Sequence, residues 1–498
     1  MKRVLLALVA LVVLCAAVLV ARTAMLPPPA EPAAAPSSPP APIDAAQVAE
    51  RLGAAVRFQT VSYASGAPID TAAFLGFHQF LATSFPRAHA ALTRELVGGL
   101  SLLYTWRGAD TTLAPVVIMG HMDVVPVPEA NLKEWTHAPF SGAVADGYVW
   151  GRGTLDDKTT VLATIEAVEG LVAAGYVPPR TVYLTFGHDE EVGGRYGARA
   201  IVDTLVARGV KPALVLDEGG ALATGLIPGL AGRAAVVGVA EKGYLSLRLT
   251  ARAQGGHSSM PPQRTAVGAL ARAIATLEAN PFPATLDGPA RGMLEAMAPY
   301  MPFGQRVALG NLWLTEGLVA RALAGAPTGA AMLRTTIAPT ILDAGIKDNV
   351  LPPEATAVVN FRIVPGETQE SVIARVRELV ADSLITVEPT DSARTDPSPV
   401  SDANSAAFAL IARTIREMAP GERVPVLPYL VTGGTDAKYW NAHSDKVFRF
   451  LAVPFGEGDV ARIHGVNERL RVEDYAVAVR FFTGLLRGLD SLGAAEAP

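Results

Sequence analysis

The chain has 498 residues, 50% hydrophobic, 18% charged and 6% aromatic, with a formal net charge of -5. That length and composition support about three domains or one enlarged fold with a large core, and they exclude an intrinsically disordered chain. The charge balance, with no long Lys/Arg run, excludes the basic face of a nucleic-acid binder, and a single cysteine, Cys15, excludes a disulfide framework and a thiolate metal cluster.

In chain order, Lys2 and Arg3 precede an uncharged apolar run over residues 4–21. Its length falls between a signal-peptide core of about 7–15 residues and a spanning helix of about 17–25. Residues 1–26 are therefore expected to be a signal or membrane-anchor segment, leaning towards the anchor. The basic pair stays cytoplasmic. The rest is then expected on the periplasmic or extracytoplasmic side, or secreted if the segment is cleaved. Residues 27–42 hold eight prolines in sixteen positions and read as an extended polyproline linker.

The folded part begins at residue 43. Asp44 is placed to cap a helix through Arg57, and Asp70 another through Phe85. Residues 114–119 (APVVIM) read as a buried strand, 157–174 as a long helix ending at Gly175, and 182–186 and 213–216 as two further strands. Strands alternating with helices predict an α/β fold with a mostly parallel sheet covered on both faces, its first part spanning 43–241.

The pattern changes after Glu241. Residues 244–251 (YLSLRLTA) alternate apolar and polar, as a strand with one wet face does. A helix at 265–279, strands at 336–341 and 357–363, a helix at 370–381 and a strand at 384–387 complete the order of a ferredoxin-like α+β unit. This unit is expected as an insertion over 242–395. The α/β pattern resumes at 404–418 and 447–453, within a closing part over 396–498. The Ala-, Pro- and Gly-rich stretch 284–334 matches none of these elements.

Polar residues cluster just beyond the apolar strands, where open α/β sheets place their sites. VVIMG leads into His121 and Asp123, VYLTFGH into Glu190 and Glu191, and ALVL into Asp217 and Glu218; Asp156 lies in GRGTLDDK and His464 in RIHGVNE. Singly, each has an ordinary explanation, such as a solvated turn or a helix cap. Solvated charge has no reason to follow three separate buried strands, so their joint placement points to a site. Imidazoles and carboxylates without thiolates suit Zn2+, or Mn2+ or Co2+.

The ordered segments GHMDVVP, GRGTLDDK, GHDEEVGG, LDEGG, GGHSSMPP, NVLP, FRIVPG, GGTDA and HGVNE resemble the co-catalytic zinc peptidase and amidohydrolase family. That family includes carboxypeptidase S, aminoacylase, bacterial glutamate carboxypeptidase and acetylornithine deacetylase, and the chain looks closest to the carboxypeptidase S branch. The resemblance spans about residues 44–489. It implies an α/β zinc-hydrolase catalytic domain with an inserted lid and dimerisation domain, and two Zn2+ per subunit. His121, Asp156 and Asp217 would hold one ion, and Asp156, Glu191 and His464 the other, with Asp156 bridging. Asp123 would orient His121, Glu190 would be the general base, and His257 would stabilise the oxyanion from the partner subunit of a homodimer. Asn349, Arg362 and Gly434 would grip a substrate carboxylate, Arg362 with its planar fork.

The resemblance thus implies a hydrolase cutting an amide bond next to a free carboxylate, in a short peptide or an N-acyl amino acid. A reading of a different class is a non-catalytic envelope peptide-binding protein on the same fold. Such a protein would be expected to lack a ligand or Glu190, and none is missing. A cytosolic biosynthetic deacylase is disfavoured by the N-terminal run and the proline spacer.

Overall fold

The computed structural model of the chain describes residues 2–33, 43–64, 67–230, 232–390 and 394–493. Residues 34–42, the greater part of the expected linker, lie outside the described residues. The first helix, Lys2–Ala24, is 23 residues long and exposed over nearly all its length. The next two begin where their caps predict. Asp44 accepts from the N–H groups of Ala46 and Gln47 ahead of Ala45–Val56, and Asp70 from those of Ala72 and Ala73 ahead of Thr71–Ser84. Each cap contributes about 1 kcal/mol by satisfying otherwise unpaired N–H groups.

The chain forms a mixed α/β structure around a ten-stranded, mostly parallel central sheet. Its middle strands, Val116–His121, Val182–Gly187 and Leu214–Asp217, are apolar on both faces because both faces are covered. They run parallel, with Val116–His121 between the other two; His121 lies opposite Gly187 and Ile118 opposite Leu216. All three strands therefore end along one edge. An antiparallel hairpin, Thr93–Val97 with Ser101–Trp106, extends one side. Val447–Arg449, Arg233–Glu241, Ala221–Thr224 and Pro454–Phe455 extend the other. On one face lies the nearly all-buried helix Lys158–Ala173, packed with Val472–Arg487 and Ala45–Val56. On the opposite face lie Ala198–Ala207 and the fully buried Trp440.

A second sheet is wholly antiparallel, in the order Thr336–Ala344, Glu354–Ile363, Gly243–Arg252, Ile385–Pro389. Helices Ala266–Ala279 and Gln369–Val380 cover one of its faces around a core of its own that includes Leu247, Leu270, Phe361 and Val376. Burial alternates strictly along Glu354–Ile363, the mark of a sheet with one covered face. The stretch 284–334, which has no strand or long-helix pattern in sequence, folds into short helices: Gly288–Met297, Phe303–Leu309, Leu312–Leu323 and Pro327–Leu333. They form a third apolar cluster against Leu427 of strand Val426–Val431.

Candidate metal centre

Because three parallel strands end together, the residues just beyond them meet above one edge of the sheet. His121 closes its strand. Glu190 and Glu191 form a short turn, Glu190–Val192, just past the next strand. Asp156 lies in the turn before helix Lys158–Ala173, and its peptide bond to Asp157 is cis. His464 arrives on the loop between Val460–Arg462 and Arg469–Arg471.

His121 is buried, with its two ring nitrogens facing different partners. Nδ1 lies 3.0 Å from the Asp123 carbonyl and 3.3 Å from Asp123 Oδ1. Nε2 lies 2.9 Å from Asp156 Oδ1 and 3.5 Å from Glu218 Oε1. On the far side of Asp156, Oδ2 lies 3.0 Å from His464 Nε2, which is 3.3 Å from Glu191 Oε2. Two groups of potential ligands result, His121–Asp156–Glu218 and Asp156–Glu191–His464, with Asp156 common to both.

Asp217, expected as a ligand, lies outside both groups. As the last residue of a buried strand, Asp217 turns its carboxylate to backbone donors, the N–H of Glu218 at 3.0 Å and of Ala437 at 2.7 Å. Its Oδ2 ties the turn Asp436–Trp440 to the sheet. Glu218, one residue on and past the strand end, carries the carboxylate that faces His121. The LDEGG motif held both acids, and attention to the face each would take at a strand end was the signal that could have separated them.

Asp123 is fully buried and joins two parts of the site. Besides meeting His121, its Oδ1 accepts from the Glu190 N–H at 3.1 Å and its Oδ2 from the Glu191 N–H at 3.2 Å. Glu468, absent from the sequence-based site, shapes the opposite wall. Its Oε1 accepts from the N–H groups of Gly153 at 2.9 Å and Leu155 at 2.8 Å, and it pairs with the buried Arg152. Arg152 Nη2 donates to the His464 carbonyl at 2.9 Å. This brace matters because His464 has φ of 60°, a left-handed conformation that costs a non-glycine residue about 1–3 kcal/mol.

The protonation states show what the cluster lacks on its own. Burial works against a charged His121, yet its hydrogen bonds to Asp123, Asp156 and Glu218 prevail and hold its pKa well above the ordinary value. Hydrogen bonds to Asp156 and then Glu191 lift His464 to about 10, against the burial of its ring. Burial, then the Asp156 charge, raises Glu218 to about 7, and burial raises Glu190 well above the carboxylate range. Without a cation, protons take its place: Glu190 and Glu218 hold them more tightly than free carboxylates do, while Asp123 and Asp156, despite their burial, stay charged against protonated imidazoles. Divalent cations would replace those protons, since metal ligands must be deprotonated. Glu191 Oε1, buried without a hydrogen-bond partner, is a free donor atom of the right kind. The residues fit a pair of divalent ions on nitrogen and oxygen ligands.

The remaining expected site residues lie on other elements. His257 and Asn349 are exposed neighbours on the antiparallel unit: Gly256–His257 pairs with Val350–Leu351, and Ser258 N–H donates to the Asn349 carbonyl. The His257 ring meets Ser259 Oγ at 2.8 Å. Arg362, also on that unit, lies over the Tyr244 ring at 4.6 Å. Gly434 sits before Thr435, whose N–H donates at 2.8 Å to Glu241, a buried carboxylate paired with the fully buried Arg449.

Comparison with known proteins is consistent with this geometry. The profile of peptidase family M20/M25/M40 matches residues 117–488. The chain is 38% identical over 449 residues to probable carboxypeptidase S-like 2 of Dictyostelium discoideum, covering 89% of this chain and 85% of that protein. It is 39% identical over 449 residues to N-fatty-acyl-amino acid synthase/hydrolase PM20D1 of Xenopus tropicalis, covering 89% and 86%. In fold it is similar to the M20 family metallo-carboxypeptidase Sso-CP2 from Sulfolobus solfataricus, with a TM-score of 0.64 at 19% identity, covering 88% of this chain and 99% of that one.

Proposed function

The chain belongs to peptidase family M20/M25/M40, and from that premise we propose that it uses two zinc ions to cut an amide bond next to a free carboxylate. Membership makes it a metal-dependent hydrolase of peptide or N-acyl amino acid amide bonds. The observation that carries the finer reading is the position of Asp156 between two ligand groups. His121, Asp156 and Glu218 would hold one ion, and Asp156, Glu191 and His464 the other. When bound, such a pair supplies electrophilic pull on the scissile carbonyl and acidifies water held beside it.

The chain's own groups do the rest. Glu190 accepts a proton from the attacking water at its carboxylate and delivers it to the leaving nitrogen. Its backbone is fixed by Asp123, the same residue that orients His121, so base and ligand keep a constant relation. Second partners of this kind hold metal-bound histidines in one tautomer and orientation.

The antiparallel unit within residues 242–395, apart from the 284–334 helices that pack on Leu427 of the central sheet, serves as the lid and as a dimer contact. Two features support this: the unit has its own core, and its edge strand Thr336–Ala344 pairs on one side and exposes Ile341 and Leu342. Arg362 and Asn349 on this unit, with the Gly434 N–H opposite, bind the substrate carboxylate, and an exposed His257 is available to a partner subunit's site. The names of the relatives favour two substrate classes, peptides with a free C-terminus and N-acyl amino acids with long acyl chains. The N-terminal helix, long and apolar enough to cross a membrane, anchors the body on the extracytoplasmic side.

The test is a mass-spectrometric screen of the zinc-loaded protein against dipeptides, N-acyl amino acids of graded chain length, and their C-terminal amides. The reading expects cleavage of the free acids, loss of that cleavage on chelation, and poor turnover of the amides. Equal turnover of acids and amides would remove the carboxylate-recognition part.

A further inference from the structure

The helices within 284–334 take no part in the site described above, yet they hold the end of the N-terminal helix. Leu19, Thr23 and Leu26, spaced along one side of that segment, face them. Asn311 Nδ2 donates to the Leu19 carbonyl and to Thr23 Oγ1, both at 3.2 Å. Thr23 is buried, and Leu26 packs against Gly310 as part of the same apolar cluster. Further on, Ala30 N–H donates to the Tyr300 hydroxyl at 3.0 Å.

Beside this junction the surface is apolar. Phe303, Trp313, Leu314 and Leu318 are each more than half exposed, where exposed apolar side chains normally occur singly. Leu314 and Leu318 are four residues apart and share a face of helix Leu312–Leu323. The indole of Trp313 lies 6.0 Å from the Arg22 guanidinium and donates to Asn311 Oδ1 at 3.3 Å. The apolar run before Arg22 spans about 27 Å as a helix, close to the thickness of a bilayer core at about 30 Å. Arg22 therefore marks the level where the helix leaves the hydrocarbon. Tryptophan is enriched at both membrane–water interfaces, and arginine at a helix end serves as an interfacial anchor.

We propose that helices Phe303–Leu309 and Leu312–Leu323 form a bilayer-docking surface, with Phe303, Trp313, Leu314 and Leu318 entering the leaflet from which the chain's own N-terminal helix emerges. The proposal rests on the reading of that helix as a retained anchor. It gives the short helices a role that the ferredoxin-like unit does not require: they fix the hydrolase body against the membrane instead of leaving it on a free tether. The same layer receives the Lys242 ammonium on the carbonyls of Ala331 and Arg334, at 2.8 and 2.9 Å, so it is tied to the chain where the second sheet begins.

Trp313 is the reporter, because the other four tryptophans, Trp106, Trp135, Trp150 and Trp440, are buried. The full chain and its Trp313→Phe variant would be reconstituted in phosphatidylcholine vesicles with and without bromine at acyl carbons 6 and 7, with flotation of each sample. The proposal expects bromolipid to quench tryptophan emission in the full chain and expects the variant to lose that quenching. A chain that floats with the vesicles but is not quenched overturns the docking surface and leaves the anchor standing, and protection of Trp313 from aqueous acrylamide in that case would identify a second copy of the chain as the occupant. A chain that does not float overturns both.

Discussion

The Glu218 carboxylate faces the His121 imidazole across 3.5 Å, while the preceding acid turns into the backbone. Glu218→Gln is expected to lower metal content, because a neutral amide is a poorer ligand for a hard dication, with little change in folding stability. Asp217→Asn is expected to do the opposite. It replaces one of two oxygens that accept backbone N–H bonds, which costs about 1–3 kcal/mol in a buried setting and leaves metal content near normal. Elemental analysis beside thermal melts of the two variants checks this. Metal lost from Asp217→Asn and kept by Glu218→Gln would restore Asp217 as the ligand.

Glu468 touches no substrate, yet its Oε1 gathers the N–H groups of the turn that presents Asp156, and through Arg152 it also supports His464. Glu468→Ala is expected to lower metal affinity about 10–100-fold, the usual effect of losing a partner behind the ligands. Competition against a chelator of known affinity reads this directly. An unchanged affinity would make the Arg152–Glu468 pair purely structural.

His78 gives a pH dependence separate from the metal centre. Burial, with Arg94 nearby, depresses its pKa from 6.5 to about 4, and its Nε2 is buried without a hydrogen-bond partner. The unfolded chain therefore takes up the proton first. The stability this group contributes is complete above about pH 6.5 and is lost as the pH falls towards 4. His78→Gln is expected to lose less stability than the parent chain between pH 7 and pH 5. Parallel melting curves with the same slope against pH would show that His78 does not titrate this way.

The N-terminal helix is long and apolar enough to cross a membrane, and its role as an anchor is open to test. A reporter fused after Ala45 is expected to be active outside the cytoplasm, and the protein recovered from membranes is expected to retain Lys2 and Arg3 at its N-terminus. A start within residues 16–26 would convert the anchor into a cleaved signal. Reporter activity confined to the cytoplasm would contradict export altogether.

Much of the centre was legible in the sequence because parallel strands impose their own grammar. An apolar run buried on both faces ends in the residues that the sheet delivers to its edge, so His121 and Glu191 could be expected to converge, while Asp156 was marked instead by its Gly-rich turn before a helix. The residues just past a strand end were less legible: Asp217 and Glu218 are chemically alike, and only the direction of the final turn divides them. Glu468 carried no signal, since its function is to hold backbone from more than three hundred residues away in the chain. The helices within 284–334 were hidden because Ala- and Gly-rich turns of seven to twelve residues have little periodicity, and their stability comes from packing on Leu427 and its neighbours. The hairpin strand Thr93–Val97 is largely exposed, so it lacked the apolar run that marks a strand.

The most direct test of the account separates Glu190 from Glu191. Adjacent in sequence, the two are assigned different work: Glu191 faces His464 as a ligand, and Glu190 moves protons. Metal content and steady-state kinetics should be measured together on purified Glu190→Gln and Glu191→Gln. The account predicts that Glu190→Gln keeps about two metal equivalents and loses about 10²–10⁴ in turnover, with a smaller change in KM, whereas Glu191→Gln loses metal. Full metal and full activity in both variants would contradict the two-metal mechanism at its centre.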